Sequence, residues 1–383
     1  MSSTSTITLS KKALAENIKF LRDFFDPKVR ISSVVKGNAY GHGIEQLVPM
    51  AEEMGIDHFS VHSIDEAQLV HEVKNNASTE IMIMGYLSDA DMEWVLKNKV
   101  SFFVFDFDRL HCAANTAKAL GLKARVHIEL ETGMNRTGFG PEHMEELSAL
   151  LLANKNHVIF EGLCTHFAGA ENISNLKRVE KQKEQFMALC ELLRSKGLKP
   201  KIKHACCSAA SMRMPEMHLD LVRIGILQYG FWPSQETFIE YIHQNNLKED
   251  PLKRVIEWTT EVMNIKWVKS NEFIGYGTTY LAQRDTRIAI IPVGYSHGFS
   301  RSLSNQGRLL LNGIRVQVVG MVNMNNLAID ITDIPNVQKG DCVTIIGKNG
   351  EQEVSVSSFS EMSDQLNYEL LTRLPSKIPR LIK

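Results

Sequence analysis

VVKGNAYGHG, residues 34 to 43, decides how the rest of the chain is read. Two β-branched residues, Val34 and Val35, lead into Lys36, and glycines follow at 37, 41 and 43. Such a run reads as a buried strand of a parallel sheet. A doubly wound nucleotide-binding sheet would place G-x-G-x-x-G directly after its first strand, and this turn lacks that spacing. An ammonium group at the end of a buried strand is poorly solvated, so it tends to lose its proton or form a covalent bond. Lys36 is therefore a candidate nucleophile; a lysine that merely snorkels out of a strand end is the plain alternative.

Outward from this point, short apolar runs alternate with longer amphipathic stretches between Leu14 and about Tyr229. The runs are 31 to 36, 58 to 63, 80 to 86, 100 to 105, 124 to 131, 159 to 165, 202 to 207 and 222 to 227. IEQLVPMAEEMG, DMEWVLKNK, FDRLHCAANTAKALG, PEHMEELSALLLANK and RVEKQKEQFMALCELLRSKG lie between them as helices. Strand and helix alternating eight times predict a (β/α)8 barrel, with chemistry at the C-terminal ends of the strands. After about Asn245 the texture changes to short strands separated by NQG, LNG and KNG turns, which predicts a second, mostly β domain. The boundary falls in the polar stretch HQNNLKEDP.

Within the fifth run, ARVHIELETGMNRTGF alternates Val126, Ile128 and Leu130 with Arg125, His127, Glu129 and Glu131. A polar face is costly to bury unpaired, so Glu129 or Glu131 is expected to meet Arg125, Arg136 or a ligand.

Composition narrows the function classes. The chain has 383 residues, is 44% hydrophobic and carries a net charge of -1, which suits two globular domains and offers no basic field for nucleic acid. Six cysteines show neither zinc spacing nor the density of a disulfide scaffold, so reduced thiols in a cytoplasm are expected, without metal. The opening MSSTSTITLS lacks a positive n-region and an apolar h-region, and no run of about 18 apolar residues occurs; neither export nor membrane insertion is expected.

VVKGNAYGHG resembles the cofactor-lysine signature of the alanine racemases, fold-type III enzymes that use pyridoxal phosphate. The resemblance implies that Lys36 holds the cofactor covalently and that Tyr40 contacts its phosphate. TITLSKKALAEN resembles the strand this family lends to its β domain before entering the barrel. It implies domains at 1–11 (first strand of the β domain), 12–245 (cofactor-binding barrel) and 246–383 (C-terminal β domain).

Further motifs follow the same pattern. TGMNRTGF is similar to T-G-M-x-R-x-G-F, implying that Arg136 holds the substrate carboxylate and the cofactor hydroxyl. Glu129 stands where the family often has a carbamylated lysine, and is expected to orient Arg136 directly. THFAGAE implies that His166 lies against the cofactor ring and bonds the arginine at the pyridine nitrogen. LVRIGILQYG, with Ile224 in place of proline, implies that this arginine is Arg223. A guanidinium keeps its protons at neutral pH, so the ring nitrogen stays unprotonated and the ring is a weaker electron sink, which favours moving one proton over transamination.

Ser208 in HACCSAA, the backbone N–H groups of Gly225 and Ile226, and Tyr368 in NYELLTRLPSKIPR are the implied phosphate donors. Cys207 stands where the family commonly has asparagine. FIGYGTTY implies Tyr276 as the second base, supplied by the partner of a homodimer. VGYSHGFSR and VGMVNMNN imply Tyr295 as a gate and Met324 as a backbone donor to the substrate carboxylate. His297, Met321 and Asn325 depart from that pattern, so charge at the mouth of the site and substrate range are expected to differ.

The activity implied is interconversion of L- and D-alanine by two-base proton transfer, as used to supply cell-wall precursors. A serine or broader-specificity racemase, a fold-type III decarboxylase and a non-catalytic cofactor-binding protein are the alternatives. The last kind lacks the β domain.

Overall fold

The computed structural model describes residues 3–356 and 367–383. It divides into two compact units. One comprises Leu14–Lys36 and Leu47–Lys253; the other gathers the N-terminal segment up to Ala13, Gly37–Gln46, and the chain from Arg254 onward.

The first unit is a parallel barrel. Its strands are β2 (Arg30–Val34), β3 (His58–Val61), β4 (Glu80–Ile83), β5 (Ser101–Val104), β6 (Ala124–Glu129), β7 (Val158–Cys164), β8 (Ile202–His204) and β9 (Leu221–Ile224), following β1 (Ser5–Leu9) of the other unit. Each of β2 to β7 pairs with the next, and β9 returns to pair with β2. Between β8 and β9 the seam is a Cys207–Arg223 bridge, with Arg223 N–H donating to Cys206 O at 3.0 Å. All eight expected strands form, and each stops two or three residues short of its expected C-terminal end, except β5 and β7, which stop one short. The apolar runs continue into the loops that carry the site, so hydropathy alone overstates the ladder.

Helices connect the strands where amphipathic periodicity placed them, at Ile44–Glu53, Met92–Lys97, Phe107–Leu120, Met144–Ala153 and Leu176–Ser195. Asp106 caps the third by accepting from Arg109 N–H at 2.8 Å, which satisfies one of the donors a helix start leaves open. Phe59, Phe102, Val61, Val104, Ile128 and Leu163 are fully buried. Ser32, Ser60, His58, His127 and His204 are buried with them, so the barrel is filled partly by hydrogen-bonded polar groups.

The second unit is a sheet in which β1 lies between β10 (Ile256–Glu261), antiparallel to it, and the terminal strand Arg380–Ile382, parallel to it. β1 alternates buried and half-buried residues, placing Ile7 and Leu9 in the core with Trp258. The N-terminal strand thus joins the C-terminal sheet.

Between β2 and the helix Ile44–Glu53, the chain makes a turn of left-handed helix. Gly37, Asn38, Ala39 and Tyr40 have φ of 63, 52, 53 and 52°. For L-residues this conformation costs roughly 1–2 kcal/mol each, so Asn38, Ala39 and Tyr40 store strain directly after Lys36.

Candidate active site

The barrel's C-terminal mouth gathers most of the residues singled out in the sequence. Lys36 lies two residues past β2, Arg136 in the loop after β6, His166 two residues past β7, Ser208 after β8, Arg223 on β9, and Gly225 and Ile226 just beyond it. Lys36 is exposed to solvent. Desolvation, followed by the charge of Arg136, pulls its ammonium below the ordinary lysine value; Glu66 pulls the other way. His166 is held down to about 3 by burial and then by the charges of Arg223, Arg136 and Lys36, so its imidazole is neutral at working pH.

Arg223 is buried and anchored by its two terminal nitrogens. Nη2 donates to Thr165 O at 2.8 Å and Ala205 O at 3.1 Å, while Nη1 donates to His204 O at 3.2 Å and to His204 Nδ1. Because a guanidinium can only donate, neutral His204 carries its proton on Nε2 and gives it to His127 Nδ1 at 2.9 Å. Burial keeps both rings uncharged, His127 at about 3 and His204 well below the ordinary value. Gly162 makes the room: a Cβ there would stand 2.0 Å from His127 Nδ1. His127 and His204 were not expected as supports of Arg223; the polar face of the fifth run was the available signal.

That polar face divides on folding. Arg125 turns to Glu161 on the adjacent strand β7 and to Glu80 on β4, two strands away. Glu129 is buried, accepts from Thr137 Oγ1 at 2.8 Å and lies 3.9 Å from Arg136 Nη2. Burial raises its carboxyl above the usual range, with Thr137 and Arg136 opposing. Glu131 binds its own loop, accepting from the N–H groups of Gly133 and Arg136.

The groups present suit pyridoxal phosphate. Among the described residues no protein acceptor meets Arg223 Nε, the one guanidinium nitrogen left for a ring nitrogen. Ser208 Oγ accepts from Gly225 N–H at 2.9 Å, which leaves its own proton to give away. Buried Ile226 likewise has no protein acceptor for its N–H among the described residues. Cys207 is half-buried on the same rim.

In the second unit two further groups form. Tyr40 is buried, with its ring 5.8 Å from that of Tyr368. Tyr276, Tyr295 and Met324 line a cavity of about 390 Å³ together with Arg301, Met321 and Asn323, Asn325 and Asn326. Arg301 had drawn no expectation. His297 accepts from Gly294 N–H at 3.2 Å, and burial lowers its pKa. Asn325 Oδ1 accepts from Ser296 Oγ at 2.7 Å, so the two departures fold into the local turn as neutral groups. No cluster able to hold a metal ion occurs among the described residues.

Residues 9–233 match the family described as alanine racemase, N-terminal domain, and residues 255–382 match alanine racemase, C-terminal domain. An alanine racemase of Leptospira interrogans is 34% identical over 99% of this chain and 96% of its own length. One from Methanococcus maripaludis is 33% identical over 96% of each chain. The crystal structure of alanine racemase from Bacillus anthracis with bound L-Ala-P superposes with a TM-score of 0.88, at 29% identity, covering 100% of this chain and 96% of that one. Barrel, β domain and these matches define an amino-acid racemase. The chain belongs to the alanine racemase family, whose members depend on pyridoxal phosphate.

Proposed function

We propose that this racemase interconverts L- and D-alanine by passing the α-proton between Lys36 and Tyr276. The observation that carries the reading is Lys36 itself, an amine with a depressed pKa at a barrel mouth that also holds Arg136, His166 and Arg223. Pyridoxal phosphate, when bound, supplies an aldehyde for a lysine amine and a ring that draws electrons from an amino acid's α-carbon. Lys36 would hold it, Arg223 would face the ring nitrogen through Nε, and His166 would lie against the ring. Ser208, Gly225, Ile226, Tyr40 and Tyr368 would hold the phosphate; Gly225 N–H is shared with Ser208, so the serine hydroxyl and Ile226 N–H carry most of that contact.

Arg136 binds the substrate carboxylate, helped by the Met324 N–H, while Tyr295 narrows the approach. A single base that removed and returned the proton would restore the same hand. Inversion therefore needs a second carrier on the opposite side of the carbon, and Tyr276, contributed by the partner of a homodimer, fills that role. Six free cysteines suit a reducing cytoplasm. Among the described residues no helix is long and apolar enough to cross a membrane.

Asn323, Asn325 and Asn326 around the cavity favour a second reading, tolerance of a hydroxyl-bearing amino acid such as serine. Incubation with single L-amino acids in deuterated water separates the possibilities. Inversion with α-deuterium uptake, fastest for alanine, is expected; carbon dioxide release, or no exchange at all, refutes the racemase reading. Lys36→Ala should remove the borohydride-trapped pyridoxyl label and activity together. Mixing Lys36→Ala and Tyr276→Ala subunits should restore roughly a quarter of wild-type activity if sites are shared across a two-fold dimer. Verified mixed dimers without activity would rule out the shared site.

A further inference from the structure

The left-handed turn after Lys36 is tied to the far end of the chain by a single guanidinium. Arg380, on the terminal strand, donates from Nε and Nη2 to Gly41 O at 3.2 and 2.9 Å. The same group donates to Leu374 O at 3.3 Å, Pro375 O at 2.8 Å, Ser376 O at 3.1 Å and Ile378 O at 2.6 Å. Every one of these acceptors is a backbone carbonyl, and among the described residues no carboxylate pairs with Arg380. Its donors therefore fix the path of the backbone.

Other contacts make the same turn close-fitting. A Cβ on Gly41 would stand 1.9 Å from Leu371 O, so the chain passes against the helix Asn367–Thr372 with no space for a side chain. Asn38 Oδ1 accepts from Ile44 N–H at 3.0 Å, and His42 Nδ1 donates to Ala39 O and Tyr40 O at 3.0 and 2.9 Å. Burial lowers the His42 pKa to about 4, so the ring stays neutral. Strained backbone persists only where its surroundings over-determine it, and the Arg380 guanidinium is a charged group bonded directly to this turn. The helix that packs on Gly41 also carries Tyr368, whose ring meets that of Tyr40.

We propose that Arg380 is a positioning residue for the cofactor phosphate, locking the left-handed turn so that Tyr40 is presented beside Tyr368. The proposal rests on the pyridoxal phosphate reading above. Lysine cannot replace the arginine, because one ammonium has neither the fork nor the number of donors needed to bridge Gly41 and four carbonyls downstream.

The test uses full-length Arg380→Lys and Arg380→Ala enzymes, with pyridoxal phosphate affinity measured by equilibrium dialysis and amide exchange followed by mass spectrometry. Both variants should bind the cofactor about tenfold more weakly or worse, the weight of roughly one charge-assisted hydrogen bond. Exchange should quicken in residues 37 to 43 while barrel peptides keep wild-type rates. Low guanidinium concentrations should partly restore affinity to Arg380→Ala, and KM for alanine at saturating cofactor should stay close to wild type. Wild-type affinity in both variants with unchanged exchange at 37 to 43 overturns the proposal. A loss of affinity matched by accelerated exchange throughout the C-terminal unit and by lower Tm also overturns it, since Arg380 would then be a general structural support. Failure of the wild-type chain to bind pyridoxal phosphate would instead overturn the functional reading beneath it, and that control precedes any variant.

Discussion

A carboxylate at position 129 is useful to Arg136 because it is buried. Thr137 fixes one oxygen of Glu129, and the other lies 3.9 Å from the Arg136 guanidinium, whose side chain is otherwise more than half exposed. An exposed pair at that distance would be worth little, whereas one buried partner is screened less and cannot wander. Glu129→Gln keeps the shape and removes the charge. KM for alanine is expected to rise about tenfold, equivalent to about 1.4 kcal/mol, with a smaller change in kcat and little change in Tm. Because burial raises the Glu129 carboxyl, protonation in the wild type should weaken substrate binding as pH falls through that raised value. This acidic limb in KM should be missing from the variant. Equal KM values and equal pH profiles would show that Arg136 needs no help from position 129.

At the scale of the element, the strands carry their chemistry at one end and charge pairing at the other. Arg30 opens β2, Glu80 opens β4, Arg125 lies near the start of β6, Glu161 is on β7, and Lys201 precedes β8. They form a chain in which Glu80 is gripped by both arginines, Arg125 Nε donates to Glu161 at 2.9 Å, and Lys201 lies 3.3 Å from Glu161. Burial alone would raise the Glu80 carboxyl, yet hydrogen bonds and charge from Arg30 and Arg125 outweigh it and hold the group at about 2. A carboxyl depressed on folding stabilises the fold above its unfolded value, and that contribution is lost as pH falls toward the folded one. Glu80→Gln should therefore cost on the order of 1–2 kcal/mol at neutral pH, allowing for screening of a partly open network. The difference from wild type should close between about pH 4.5 and 2, as read by urea unfolding. A constant difference across that window would assign the loss to packing.

Across the whole molecule, neutral buried histidines set the response to acid. Burial holds His42 at about 4 and His58, His127 and His166 at about 3. Each regains an ordinary value near 6.5 on unfolding, so the unfolded chain binds more protons and stability falls as pH drops below that value. Every such group adds about 1.4 kcal/mol per pH unit to the slope. Unfolding free energies between pH 6.5 and 5, above the Glu80 window, should show a several-proton slope that His58→Gln or His127→Gln lowers by about one proton each. An undiminished slope would mean that these rings are already charged in the native state.

Periodicity and residue type made the barrel, its eight strands and the trailing β domain legible, because a strand or helix buries its apolar face locally and leaves a local pattern. Lys36 was legible for the same reason, since it follows such a run, whereas Arg136 and Arg223 stood out through motifs that resemble those of the alanine racemases. The partners of those residues were not. His127 meets His204 across 77 positions, His204 meets Arg223 across 19, and Arg380 reaches Gly41 across 339. Nothing in either local stretch encodes such a meeting. Hydrogen bonds between distant segments depend on strand register and on the path of the backbone in space, so only the folded chain could decide which buried donor meets which acceptor.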